Sequence, residues 1–185
     1  MNGIDYGPLA GLIGTWKGDK GRDMAPETDG IEENLYYETL TFSAAGEVDN
    51  AETQELVSVH YQQLVNRISD DKAIHNQTGY WIWDAAGKSI MHAFTIPRGV
   101  CVIAGGSHQG GANEDSGITL TVAAALDDPD WQIIQAPFMQ ANASTTDFKQ
   151  TISFDDQYLS YMQSTIVEIY GERFDHTDEN QLTRD

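Results

Sequence analysis

Period-two alternation, broken by turn residues every eight to fourteen positions, runs through this chain from Tyr37 to its end and leaves few helical stretches. In the first such segment Tyr37, Thr39 and Thr41 fall on one side, and Glu38, Leu40 and Phe42 on the other. Leu56–Ile68, Ile74–Trp83, Ser89–Ile96, Val100–Ala104, Gly117–Ala124, Phe148–Phe154, Tyr158–Ile169 and Phe174–Arg184 follow as strands. Turns are expected at Ser69–Lys72, Asp84–Gly87 and Pro97–Gly99. An antiparallel chain of about ten strands must dispose of its edges, and closure into a cylinder removes them. The expectation is therefore all-β: a closed antiparallel barrel of about ten strands behind a short N-terminal helix at Pro8–Ile13, where Pro8 costs no hydrogen bond.

Gly14-Thr15-Trp16-Lys17-Gly18 suits the floor of such a barrel, with an indole plugging one end and glycines admitting neighbouring backbone. Trp16 reads equally as an ordinary core aromatic. Three segments break the alternation. Gly18–Asn34 is polar and reads as a long loop, Ser107–Ser116 as a Gly- and Asn-rich excursion, and Leu126–Ser144 as an irregular insertion packed on an edge or on the barrel mouth. No linker or repeat divides residues 1–185, so one domain is expected. Side chains do not easily fill a cylinder of this strand number, so its middle is either a ligand cavity or is filled by Trp and Tyr.

Asp and Glu total 29 against 10 Lys and Arg, a net charge of −19. Such a surface repels phosphate backbones and anionic headgroups, which argues against nucleic acid and membrane partners. The opening residues carry no basic or apolar leader pattern and no run is long enough to span a bilayer, so a cytoplasmic protein is expected. Cys101 is the single cysteine; its apolar run, Val100–Ala104, suggests a small buried hydrophobe.

No nucleophile elbow, Walker loop or zinc-type spacing occurs among the five histidines. Two histidines stand out. His75 shares a strand face with Gln77, Gly79 and Trp81, and reads either as a cavity residue or as a hydrogen-bonded partner of Gln77. His176 shares a face with Asp178, Asn180, Leu182 and Arg184. It is either a surface imidazole or one that faces the lumen and binds a metal centre through its neutral nitrogen.

In chain order, these pieces resemble the nitrobindin-like family, also described as heme-binding β-barrel or fatty-acid-binding-protein-like. The resemblance rests on Pro8–Gly14 before Trp16-Lys17-Gly18, on Ile74–Tyr80, on Ile96–Val100 with Gly105-Gly106, on Leu159–Met162, and on His176 with Leu182-Thr183-Arg184. It implies a lipocalin-like ten-stranded barrel holding heme b, with His176 as axial ligand of the iron and His75 near the pocket, and with nitric oxide binding and peroxynitrite isomerisation. The chain departs from the pattern in two places. The third glycine of the opening motif stands one place late, at Gly21, and His176 precedes Leu182 by six positions where the pattern has five. With a period of two, that extra residue turns the imidazole to the other face unless a bulge absorbs it.

Two functions are therefore expected. One is a barrel for heme or another flat apolar molecule, with Tyr80 and Trp81 offering stacking faces. The other is a metal-free carrier of an apolar ligand such as a fatty acid, its carboxylate met by Arg98 or Arg184. Trp16 completes the pocket candidates, and a second copy of the chain remains open as a partner. Enzymatic activity attaches only to the heme reading.

Overall fold

The alternation is realised as strands in a computed structural model that describes residues 3–109 and 117–185. They are β1 (Gly14–Glu27), β2 (Gly30–Ala51), β3 (Gln54–Arg67), β4 (Ala73–Asp84), β5 (Ser89–Ile96), β6 (Val100–Ser107), β7 (Ile118–Ala125), β8 (Ile133–Gln135), β9 (Ala143–Phe154), β10 (Tyr158–Ile169) and β11 (Glu172–Arg184). A 3₁₀ helix, Gly7–Leu12, precedes them, and a short helix α1, Pro137–Asn142, lies between β8 and β9. Neighbours run β6-β5-β4-β3-β2-β1-β11-β10-β9-β7 and back to β6, so ten antiparallel strands close into a barrel. β8 is an extra strand.

β7 forms a ladder pair with β6 only at Gly105↔Ala123, and β8 takes up the edge left free by pairing with Val100, Cys101 and Val102. Gln135 of β8 then clamps β9 from both sides: it accepts from Thr145 N at 2.9 Å and donates to Thr145 O at 3.0 Å. The irregular insertion is thus an edge cover, which an otherwise unpaired strand needs.

Two expectations are corrected. The Gly18–Asn34 stretch is not a loop: its residues extend β1 and β2 into one long hairpin that turns only at residues 28–29. Its charged residues Asp19, Lys20, Arg22 and Glu33 point outward, where a barrel strand tolerates polarity, while the ladder satisfies the backbone. Cys101 is exposed, not buried. The period of two puts Val100, Val102 and Ala104 inside and turns Cys101 outward beside Thr95. The Ser107–Ser116 excursion falls for the most part outside the described residues.

The N-terminal segment closes one end. Leu9, Leu12 and Trp16 have no solvent exposure, each burial stabilising by about 1.5–3 kcal/mol. Trp16 Nε1 donates to the Leu12 carbonyl at 2.8 Å. The Arg184 guanidinium lies 4.1 Å from the Trp16 ring centre and donates to the carbonyls of Gly11 at 2.6 Å and Ile13 at 2.7 Å. This end is a packed floor.

β1 carries a one-residue bulge. Between Gly18 and Gly21 it advances three positions while β2 advances only two, from Glu38 to Tyr36. The extra residue reverses which side chains face inward: Trp16 points in before the bulge, and Gly21 and Asp23 point in after it. β11 has no such break against β10, so His176, Asp178, Asn180 and Leu182 all keep the inner face.

Candidate functional site

At the end opposite the Trp16 floor the lumen widens into a cavity of about 170 Å³. Val65, Ile74, Phe94, Ile96, Val100 and Phe148 form its apolar wall. Asp23, Tyr36, His75, Gln163, His176 and Asp178 form the polar side.

The polar side is made by the β1–β11 ladder. Register sets Asp23 directly opposite Asp178, so two inward carboxyls are cross-strand neighbours, an arrangement that like charge disfavours. His176 comes between them: its Nε2 lies 2.6 Å from Asp23 Oδ1 and 3.8 Å from Asp178 Oδ2. Burial alone would lower the His176 pKa, but the hydrogen bond to Asp23 and the negative charge of Asp178 and Asp23 outweigh it, and the imidazole is held above its ordinary value. Burial pushes Asp178 up to about 7; His176 opposes the rise, and the charges of Asp23 and Glu38 add to it. Amides on flanking strands hold the carboxyls, Asn34 Nδ2 donating to the outer Oδ2 of Asp23 at 3.0 Å and Gln163 Nε2 to Asp178 Oδ2, the oxygen toward His176, at 3.2 Å.

Beneath this cluster lies a buried carboxyl that the sequence did not single out. Glu38 is only 2% exposed and accepts from Gln63 Nε2 at 2.7 Å, Asn180 Nδ2 at 2.7 Å and the Tyr161 hydroxyl at 2.8 Å. Burial raises its pKa against the pull of those three donors. The Tyr161 hydroxyl is 2.6 Å from that of Tyr36, which lines the cavity.

His75 also lines the cavity, and both alternatives for it coexist. Its Nε2 lies 3.1 Å from Gln77 Oε1; Gln77 gives its own N–H to the Tyr61 hydroxyl, and Tyr61 pairs with His92 Nε2 at 2.7 Å. Burial lowers the pKa of His75 and drives that of His92 down to about 3. His92 is packed against Trp81, the ring centres 4.3 Å apart.

The other sequence candidates do not meet at the cavity. Tyr80 points outward, 45% exposed, with its ring against His60. Trp81 is buried under His92, and Trp16 and Arg184 belong to the closed end. Arg98 is exposed in the β5–β6 turn. No arginine or lysine lines the cavity among the described residues. Sequence reasoning missed Asp23, Tyr36, Glu38, Tyr161 and His92. For Asp23 and Tyr36 the displaced glycine at 21 was the available signal, since it marks the bulge.

Heme bonds iron through a neutral imidazole nitrogen. Here His176 Nε2 is engaged by Asp23 and the surrounding carboxyls favour the protonated ring, so any metal bonded there, heme iron included, must displace that proton. The space is also small, close to the ~150 Å³ that takes a benzene and below the ~300–1,000 Å³ usual for larger ligands. As arranged, the residues do not fit a heme.

The barrel resembles the crystal structure of Rv2717c from M. tuberculosis, with a TM-score of 0.72 at 21% identity over 96% of this chain and 94% of that one. At this identity the likeness establishes the shared fold. No curated protein matches the sequence significantly. A family model described as "THAP4-like, heme-binding beta-barrel domain" matches residues 5–184, from the N-terminal plug to the closing strand that carries His176. With that match spanning nearly all of its length, the chain belongs to the family of THAP4-like, heme-binding β-barrel domains.

Proposed function

We propose that this small-molecule-binding barrel holds a compact ligand in the cavity, its apolar body against Phe94, Phe148, Ile96 and Val100 and its polar end against His176 and Asp178. The observation that carries this reading is the convergence of an apolar wall and a titratable cluster on one space of about 170 Å³. The electrostatics select the ligand's charge. With Asp23 and Asp178 in the lining and no arginine or lysine there among the described residues, a cationic or neutral hydrogen-bonding group is favoured over a carboxylate. This weighs against the fatty-acid reading, because Arg184 is tied to Gly11 and Ile13 and Arg98 stands in the outer turn.

Heme is the second reading, favoured by the family match and by the inward face of His176. His176 would be the residue that bonds the iron, after release from Asp23. Nitric oxide or peroxynitrite chemistry would follow only from iron held there. The test is titration of the protein with benzylamine, benzoate and hemin in parallel. Saturable benzylamine binding, tighter than benzoate and lost when Val102→Trp fills the cavity, is the expected result. Failure of both small probes overturns the compact-ligand reading. An intense Soret band that disappears in His176→Ala replaces it with the heme reading.

A further inference from the structure

We propose that Asp23, His176 and Asp178 form a site for one divalent transition-metal cation, with an open coordination position facing the cavity. The inference deepens the proposed function and rests on its reading of the cavity as a binding space.

One nitrogen and two carboxylate oxygens of these residues lie within 4.8 Å of one another, contributed by two neighbouring strands. Metal–ligand bonds of about 2.0–2.2 Å require ligand atoms roughly 3–3.5 Å apart. The present separations from His176 Nε2, 2.6 Å to Asp23 and 3.8 Å to Asp178, straddle that range. Admitting an ion takes rotation of these side chains, and the cation replaces the proton shared by His176 and Asp23, which is released to solvent.

Charge points the same way. Asp23 and Asp178 are paired cross-strand inside the barrel, and Glu38 adds a third carboxyl close by. Two imidazoles, His176 and His75, stand against them, and no arginine or lysine lines the space among the described residues. A cation bound between the two aspartates removes the like-charge conflict that the register imposes.

The outer contacts match those of a metal centre. Asn34 and Gln163 each hold one oxygen of an aspartate, leaving Asp23 Oδ1 turned toward His176. Such amides fix the orientation of ligating carboxylates. A donor set of one imidazole and two carboxylates suits Zn²⁺, Fe²⁺, Co²⁺ or Mn²⁺. Ca²⁺ asks for six to eight oxygens, and thiolate-seeking ions find no cysteine here. Three protein ligands leave a position open toward the apolar wall, where the polar end of an organic ligand could coordinate.

The test uses the full chain, dialysed against chelator and titrated with Co²⁺, whose visible d–d bands report its coordination, with benzylamine titrated separately. The inference expects one Co²⁺ per chain. Asp178→Asn and His176→Gln should weaken binding at least about tenfold and Asn34→Ala about tenfold, while His60→Ala on the outer face should leave it unchanged. Near-UV circular dichroism confirms that each variant is folded. Absence of Co²⁺ binding together with saturable benzylamine binding overturns the metal site and leaves the cavity reading standing. Absence of both overturns the two together. Co²⁺ binding that survives His176→Gln and Asp178→Asn places the ion elsewhere and also overturns the inference.

Discussion

Gly21 lies against the ring of Tyr36: a methyl group at Gly21 would stand 2.1 Å from Tyr36 Cε2. The ring cannot swing aside freely, because its hydroxyl is held 2.6 Å from that of Tyr161. The absence of a side chain at this bulge lets Tyr36 lie across β1 and border the cavity. Gly21→Ala should therefore destabilise the barrel by about 1–3 kcal/mol, read as a lower urea midpoint with an unchanged m-value. An unchanged midpoint would show that the contact is not tight.

His92 sets an acid limit. It is fully buried between Trp81 and Phe94, and burial places its folded pKa near 3, below the unfolded value of 6.5. Protonation therefore favours the unfolded chain. The contribution is complete above pH 6.5 and is lost as pH falls from 6.5 toward 3, by about 1.4 kcal/mol per unit. Urea midpoints measured from pH 7 to pH 4 should fall less steeply in His92→Gln than in the wild type.

The Tyr161 hydroxyl serves three partners: it donates to Glu38, accepts from Gln63 and meets Tyr36. Tyr161→Phe removes all three in a buried setting and should cost about 1–3 kcal/mol. In a Glu38→Gln background the same change should cost less. A double-mutant cycle in urea measures the coupling, expected at about 0.5–3 kcal/mol; zero coupling would mean that the two groups act independently.

Arg184 pins the N-terminal plug through two carbonyls and the face of Trp16. Lysine keeps the charge but loses the planar fork, so Arg184→Lys should not restore what Arg184→Ala loses. Faster amide hydrogen exchange in residues 7–16 of both variants is the expected readout, with the cavity strands β3 and β4 unaffected.

Much of the barrel was legible because period-two alternation is a local signal. Ser89–Ile96 and Tyr158–Ile169 match β5 and β10 at both ends, and the shared faces of Glu38-Leu40-Phe42 and His176-Asp178-Asn180-Leu182 follow from parity alone. The Gly18–Asn34 stretch was not legible. Its exposed charges imitate a loop, and nothing local shows that a partner strand satisfies its backbone. The exposure of Cys101 was missed for the opposite reason: an apolar run hides which of its members face out.

By itself the sequence determined that the strands are antiparallel and alternate, pointing to a closed cylinder, and that His176 shares a face with Asp178, since residues two apart on a strand must point the same way. Only the tertiary structure decided that this face looks inward and that Asp23, 153 positions from His176, meets it there. The cause is register: one extra residue in β1 reverses which of its side chains enter the lumen, and pairing between distant strands sets what they encounter.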